Sequence, residues 1–210
     1  MRLRKKHFAI PEMRENPYVI FDPEHLKGKW SEEFKNDNDI YLELGAGKGQ
    51  FIKELATRNP KTNYIIIDRE SNAFVYATRK IREEELSNVR CIPYDVDNIE
   101  GIIGEGEIKG IYINFCNPWP KERHKKRRLT HPRLLKIYKK LLQPGGKIYF
   151  KTDDRDLFED SLKYFEGEGF EILKSDFNMK LSDYPDNIVT EYEHKFRTLN
   201  IPIHYGEFKH

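Results

Sequence analysis

The sequence predicts an α/β fold: a mostly parallel, seven-stranded sheet with helices on both faces. Three observations carry this expectation. Short apolar runs alternate with segments of helical spacing, the pattern of strand–helix–strand units. A glycine cluster stands at the end of the first apolar run and opens the first helical segment. The last runs, after residue 169, come close together, so an antiparallel, hairpin-like edge should close the sheet.

The elements follow in order. Residues 1–38 carry Pro11, Pro17 and Pro23 and read as an irregular N-terminal arm; residues 39–210 read as one globular domain. IYLEL (40–44) is a strand, and QFIKELATRN (50–59) has helical spacing. NYIIID (63–68) is a continuous apolar strand, followed by the helical SNAFVYATRKIREEEL (71–86). VRCIPY (89–94) and GIYINFC (110–116) are the next strands. HPRLLKIYKKLL (131–142) is amphipathic and should stop at Pro144-Gly145-Gly146. KIYFKT (147–152) is a strand and LFEDSLKYFEGEG (157–169) a helix. FEILKS (170–175) and EYEHKFRTLN (191–200) read as the final strands.

Composition narrows the partners. The chain has 210 residues and a formal net charge of only +2, so its basic residues are notable for clustering rather than number. One cluster is MRLRKKH at the start, with Arg2, Arg4, Lys5 and Lys6 as a possible clamp. The other follows Trp119. Clustering at modest net charge suits a directional contact with a polyanion such as RNA, although a solvated face is the commoner cause of any one cluster. Two cysteines, Cys91 and Cys116, form no CxxC pair and sit in apolar runs, as buried thiols of a reducing compartment would. There is no apolar leader segment and no run of membrane-spanning length. A cytoplasmic protein without membrane or metal partners is expected.

Ligands of such sheets bind outside the carboxyl ends of strands. That rule selects ELGAGKG (43–49), where Gly45, Gly47 and Gly49 permit a sharp turn and close approach to a ligand. The spacing is neither that of a P-loop nor of the usual dinucleotide fingerprint. A Glu two residues before the first Gly, then G-x-G-x-G, is the pattern of the S-adenosylmethionine (SAM) site in class I methyltransferases. Glu43 would complement the cationic end of that ligand. Asp68, closing the second strand, stands where an acid meets ribose hydroxyls. Asp95, after the third strand, stands where such enzymes bind the adenine amino group.

The loop after the fourth strand is Asn117-Pro118-Trp119-Pro120. Its prolines stiffen it. Two chemistries fit. An amino nitrogen could be methylated with the Asn117 side chain accepting from the target NH2, since Asn-Pro-Trp resembles the Asn-Pro-Pro-aromatic turn of such enzymes. A ring nitrogen such as guanine N7 has a free lone pair and no proton to lose. It needs orientation and nearby negative charge rather than a base.

The run NFCNPWPKERHKKRRLTHPRLL closely resembles the signature of bacterial tRNA (guanine-N7-)-methyltransferases. So do KGKW (27–30), ELGAGKGQFI, FKTDD (150–154) and NIVTEYEHKF (187–196). The resemblance spans nearly the whole chain. It implies a Rossmann-like class I fold, SAM as methyl donor with S-adenosylhomocysteine as product, and transfer to N7 of a variable-loop guanine in tRNA. Carried over, it places Glu43, Gly45, Gly47, Gly49, Asp68, Asp95 and Asn117 at the cofactor, with Asn117 also at the catalytic position. Lys121, Asp153, Thr190, Glu191, Tyr192 and Glu193 fall at the substrate. Arg123, His124, Lys125, Lys126, Arg127 and Arg128 fall on the stretch of RNA contact. The family usually has Asp where this chain has Asn117, which keeps hydrogen bonding and loses charge. The rivals are an amino-nitrogen methyltransferase and an inactive SAM-fold RNA-binding protein. Monomer and homodimer both stay open.

Overall fold

Among the described residues, seven strands build a mixed sheet, and seven α-helices and several 3₁₀ turns connect them. The structure is a computed structural model and describes residues 6–210. Arg2, Arg4 and Lys5 of the expected clamp lie outside the described residues. The chain divides into two units, Met1–Gly104 and Glu105–His210.

In the first unit β1 (Ile40–Leu44), β2 (Asn63–Ile67) and β3 (Val89–Ile92) run parallel in the order β3-β2-β1. All five residues of β2 are buried, Tyr64 to Ile67 as their unbroken apolar run requires. Each such isoleucine contributes about 1.5–3 kcal/mol by leaving water. Helices α3 (Gln50–Arg58) and α4 (Ser71–Glu83) bury Phe51, Ile52, Ala56 and Phe74, Val75, Ile81, respectively.

The arm is not irregular. It forms α1 (Ala9–Arg14), a 3₁₀ turn at Pro23–Leu26 and α2 (Trp30–Phe34). Helix α1 packs on α4, where Arg79 pairs with Glu12. Tyr18 and Ile20 bond the backbone of Cys91 in β3. Lys6 also docks on α4: its backbone N–H donates to Asn72 Oδ1 at 2.7 Å and its ammonium to the Tyr76 hydroxyl at 2.7 Å. The KGKW motif is structural, since Trp30 is fully buried and its indole N–H donates to the Ile102 carbonyl at 2.8 Å.

The second unit holds β4 (Ile108–Asn114), β5 (Leu142–Thr152), β6 (Glu171–Asp176) and β7 (His204–Lys209) in the order β4-β5-β7-β6. β4 and β5 are parallel; β7 is antiparallel to both β5 and β6. Helix α5 (Pro132–Leu141) ends before the expected stop, and β5 begins at once. Pro144, Gly145 and Gly146 then fall in a register shift of the β4–β5 ladder. Asp154 caps α6 (Arg155–Gly167), as the sequence suggested, accepting from Leu157 N–H at 2.7 Å.

One element is overturned. Residues 191–200 are not a strand: Glu191–Thr198 is helix α7, capped by Thr190, and β7, which the sequence reading omitted, supplies the last strand. Apolar residues at 192 and 196 are one helical turn apart, which alternation had masked. Cys116 lies beyond β4 and is only half-buried, although burial still pushes its thiol up to about 12. Cys91 is fully buried.

Candidate active site

The first unit builds a glycine loop clamped by a carboxylate. Glu43 sits in β1 and is buried. Beyond it Gly45, Gly47 and Gly49 all adopt positive φ (78°, 55° and 74°), where an L side chain is strained. Gly45 N–H bonds the Ile67 carbonyl of β2 at 2.8 Å. Asp68 takes the Gly47 N–H on Oδ2 at 2.9 Å and the Glu70 N–H on Oδ1 at 2.8 Å. One side chain therefore fixes both the loop and the entry to α4. Burial raises the Asp68 pKa, opposed by those two N–H donors.

A Cβ on Gly49 would lie 2.6 Å from Ala77 Cβ, so this glycine lets α3 and α4 approach. Among the described residues nothing lies within 4 Å of a Cβ on Gly47. Asp95 caps the 3₁₀ turn Val96–Gly101, accepting from Asp97 N–H at 3.1 Å, and pairs with exposed Arg69 at 3.2 Å. The donor set suits SAM: a buried acid at Glu43, a carboxylate with spare acceptor capacity at Asp68 and, among the described residues, open space over Gly47.

The second unit builds a stiff loop after β4. Phe115 (φ 51°) and Trp119 (φ 43°) both occupy the left-handed region. Phe115 donates its N–H to the Lys151 carbonyl and stacks on Tyr192 and Phe196 of α7, with centroids 6.5 and 6.0 Å away. Asn117 is exposed, and its Oδ1 accepts the Trp119 N–H at 3.2 Å. The Pro118 carbonyl accepts from Arg128 Nε at 2.7 Å. The basic run folds back on Trp119: the Arg127 guanidinium lies over its ring at 5.1 Å and His124 meets it edge-on at 5.8 Å.

The run 121–128 does not present a uniform face. Lys121, Arg123, Lys126 and Arg127 are exposed. Lys125 pairs with Glu122 at 2.9 Å and with Asp160 at 3.0 Å. Arg128 is the correction. Its side chain is 1% exposed and bonded to Asp160 at 2.6 Å, so it cannot meet an RNA phosphate at the surface.

At the end of β5, Asp153 is half-buried. Burial raises its pKa, reinforced by Asp154 and opposed by His204 and Lys195. Thr190 caps α7 through the Glu193 N–H at 3.0 Å. Glu191 and Tyr192 are exposed. Glu193 does not face solvent as expected of a base acceptor. It is fully buried, with Oε2 on Lys151 Nζ at 2.9 Å and Oε1 on Asn187 and Arg197. Sequence reasoning missed Lys151, Asn187, Arg197 and Asp160. Thr-x-x-Glu at 190–193 is a capping-box spacing and could have revealed α7. Nothing local marks Lys151 as buried.

Known proteins bear on these two constellations. The family described as "Putative methyltransferase" matches residues 37–205. The chain is 51% identical over 201 residues to the tRNA (guanine-N(7)-)-methyltransferase of Clostridium tetani, covering 96% of this chain and 95% of that one. It is 51% identical over 205 residues to that of Clostridium acetobutylicum, covering 98% and 97%. A solved SAM dependent methyltransferase from Aquifex aeolicus is only 13% identical but shares the fold, with a TM-score of 0.59 over 97% of this chain and 99% of that one. Among the described residues no helix is long and apolar enough to cross a membrane. Half identity sustained over nearly the full length of two relatives places this chain in the tRNA (guanine-N7-)-methyltransferase family.

Proposed function

We propose that the chain transfers the methyl group of SAM to N7 of a variable-loop guanine in tRNA. The observation that carries this reading is the full-length likeness to relatives of that name. SAM supplies an electrophilic methyl on a sulfonium. The chain's own residues do the rest. Glu43 and the glycine loop hold the amino-acid end, Asp68 accepts from the ribose hydroxyls and Asp95 from the adenine amino group. Lys121, Arg123, His124, Lys126 and Arg127 pair with phosphates, which positions RNA and makes binding salt-dependent. Asp153 accepts from the guanine edge and adds negative charge as the purine becomes cationic. Guanine N7 has no proton to lose, so Asn117 orients and need not act as a base.

Incubation with labelled SAM and unmodified tRNA, then borohydride and aniline, tests this. Label with strand cleavage in the variable loop supports N7. Label without cleavage indicates an amino nitrogen. Binding without label indicates an inactive module.

Asn117→Asp is expected to match or exceed wild-type kcat at saturating tRNA. A carboxylate accepts the Trp119 N–H at least as well as the amide oxygen and adds charge beside the purine. A large loss of kcat would sink this account of the position.

SAM affinity should also depend on pH. Only the ionised Asp68 carboxylate offers all its oxygen lone pairs to donors. Burial holds its pKa above the ordinary aspartate value, so affinity should fall as pH drops through that raised pKa. Asp68→Asn should weaken binding by about 1.5–3 kcal/mol and remove the dependence, as read by calorimetry. An unchanged acid limb in this variant would assign the titration to another group.

A further inference from the structure

We propose that Arg128 is a positioning residue for the Asn117–Pro120 loop rather than a phosphate contact. The proposal deepens the reading of that loop as part of the methyl-transfer site and rests on it.

The argument begins with one peptide unit. Proline fixes φ at residue 118, so the loop's shape depends on the orientation of the Pro118–Trp119 peptide plane. That plane sets ψ of Pro118 and φ of Trp119, and the latter is held at 43°, a conformation a tryptophan does not choose by itself. Both polar groups of the plane are pinned. Its carbonyl accepts from Arg128 Nε at 2.7 Å, and its N–H donates to Asn117 Oδ1 at 3.2 Å. Arg128 therefore acts on the Asn117 side chain through a single shared peptide.

The arginine is itself anchored. Its Nη1 donates to Asp160 Oδ2 at 2.6 Å, from helix α6, and the same oxygen pairs with Lys125. Burial of the side chain removes it from RNA and strengthens its hold on the carbonyl, because water does not compete there. A lysine cannot repeat the arrangement: one ammonium lacks the planar fork that reaches a carbonyl and a carboxylate in two fixed directions. The basic run thus divides by function. Its exposed members grip phosphate, and its last member holds the loop.

The test uses the full chain with Arg128→Lys, Asp160→Asn and, as a reference for true phosphate contacts, the double variant Arg123→Ala/Lys126→Ala. Three quantities are read: kcat at saturating tRNA and SAM, the tRNA dissociation constant against salt, and Trp119 emission. Emission is taken as the difference from the same protein carrying Trp119→Phe. Arg128→Lys should lower kcat by about ten- to a hundredfold, as small misplacements do. It should shift Trp119 emission and leave the tRNA dissociation constant and its salt slope as in wild type. The reference variant should bind more weakly, with a slope shallower by about 0.7–0.9 per lost contact.

Weaker binding and a shallower slope in Arg128→Lys, as in the reference, would overturn the proposal. So would unchanged kcat with unchanged emission. Should Arg128→Lys fail to fold, Asp160→Asn decides: it keeps the volume, loses the anchoring charge, and should lower kcat and shift emission with binding intact. If wild type methylates no tRNA, the functional reading fails, while emission and the salt slope still decide where Arg128 acts.

Discussion

Glu193→Ala is expected to lower the unfolding free energy by about 3–5 kcal/mol, the cost of stripping one partner from a buried ion pair. At roughly 2–4 °C per kcal/mol for a chain of this size, Tm should fall by about 6–20 °C. The reason is geometric. Glu193 is fully buried and serves four donors: Lys151 Nζ at 2.9 Å, Asn187 Nδ2 at 3.0 Å, and Arg197 Nε and Nη2 at 2.9 and 2.7 Å. Lys151 also donates to Asn187 Oδ1 and to the Ile188 carbonyl, each at 3.0 Å. Alanine leaves the Lys151 charge in place with its carboxylate gone. The double variant Lys151→Met/Glu193→Leu should recover much of the loss, because it removes both charges and restores volume. Urea denaturation reads both. A loss below about 1 kcal/mol would mean that water enters and screens the site.

The second large effect concerns Gly49. Gly49→Ala should destabilise by about 2–5 kcal/mol, combining a left-handed backbone cost of about 1–2 kcal/mol with overpacking of about 1–3 kcal/mol. The new Cβ would stand 2.6 Å from Ala77 Cβ and 2.8 Å from Ala77 Cα, so α3 and α4 must move apart. Gly47→Ala provides the contrast. Its φ is also positive, at 55°, yet no atom of the described residues lies within 4 Å of the added Cβ. It should show only the backbone cost of about 1–2 kcal/mol. Equal losses in the two variants would refute the helix-approach account. SAM binding should weaken in both, since both glycines shape the loop that Asp68 clamps.

The sequence showed most where one interaction dominates. The β2 run is apolar because both faces are covered, and it could be read directly. The glycine loop was legible because positive φ leaves few other residues possible. Where an outcome depended on distant partners, the reading failed. Arg128 stands in a basic run and resembles its neighbours, but Pro118 and Asp160, 10 and 32 residues away, hold its side chain inside. Glu193 was expected at the substrate; its counterion Lys151, 42 residues earlier, could not be inferred from its neighbours in sequence. Helix α7 was misread because Tyr192, His194 and Phe196 mimic alternation, while the deciding signal was a hydroxyl cap at Thr190.

The placement of β7 has a consequence for synthesis. β7 lies between β5 and β6, bonded to β5 from Thr152↔His204 to Lys147↔Lys209 and to β6 from Asp176↔Tyr205 to Glu171↔Lys209. A chain leaving the ribosome makes β6 more than thirty residues before its partner in the ladder, at about 5–20 residues per second. Until residue 209 emerges, the edges of β5 and β6 that β7 will occupy stay open, each able to pair with the wrong strand. The second unit is thus committed late, by its final strand. A nascent chain held with residues 204–209 still in the exit tunnel should resist proteolysis in the first unit well before it does in the second.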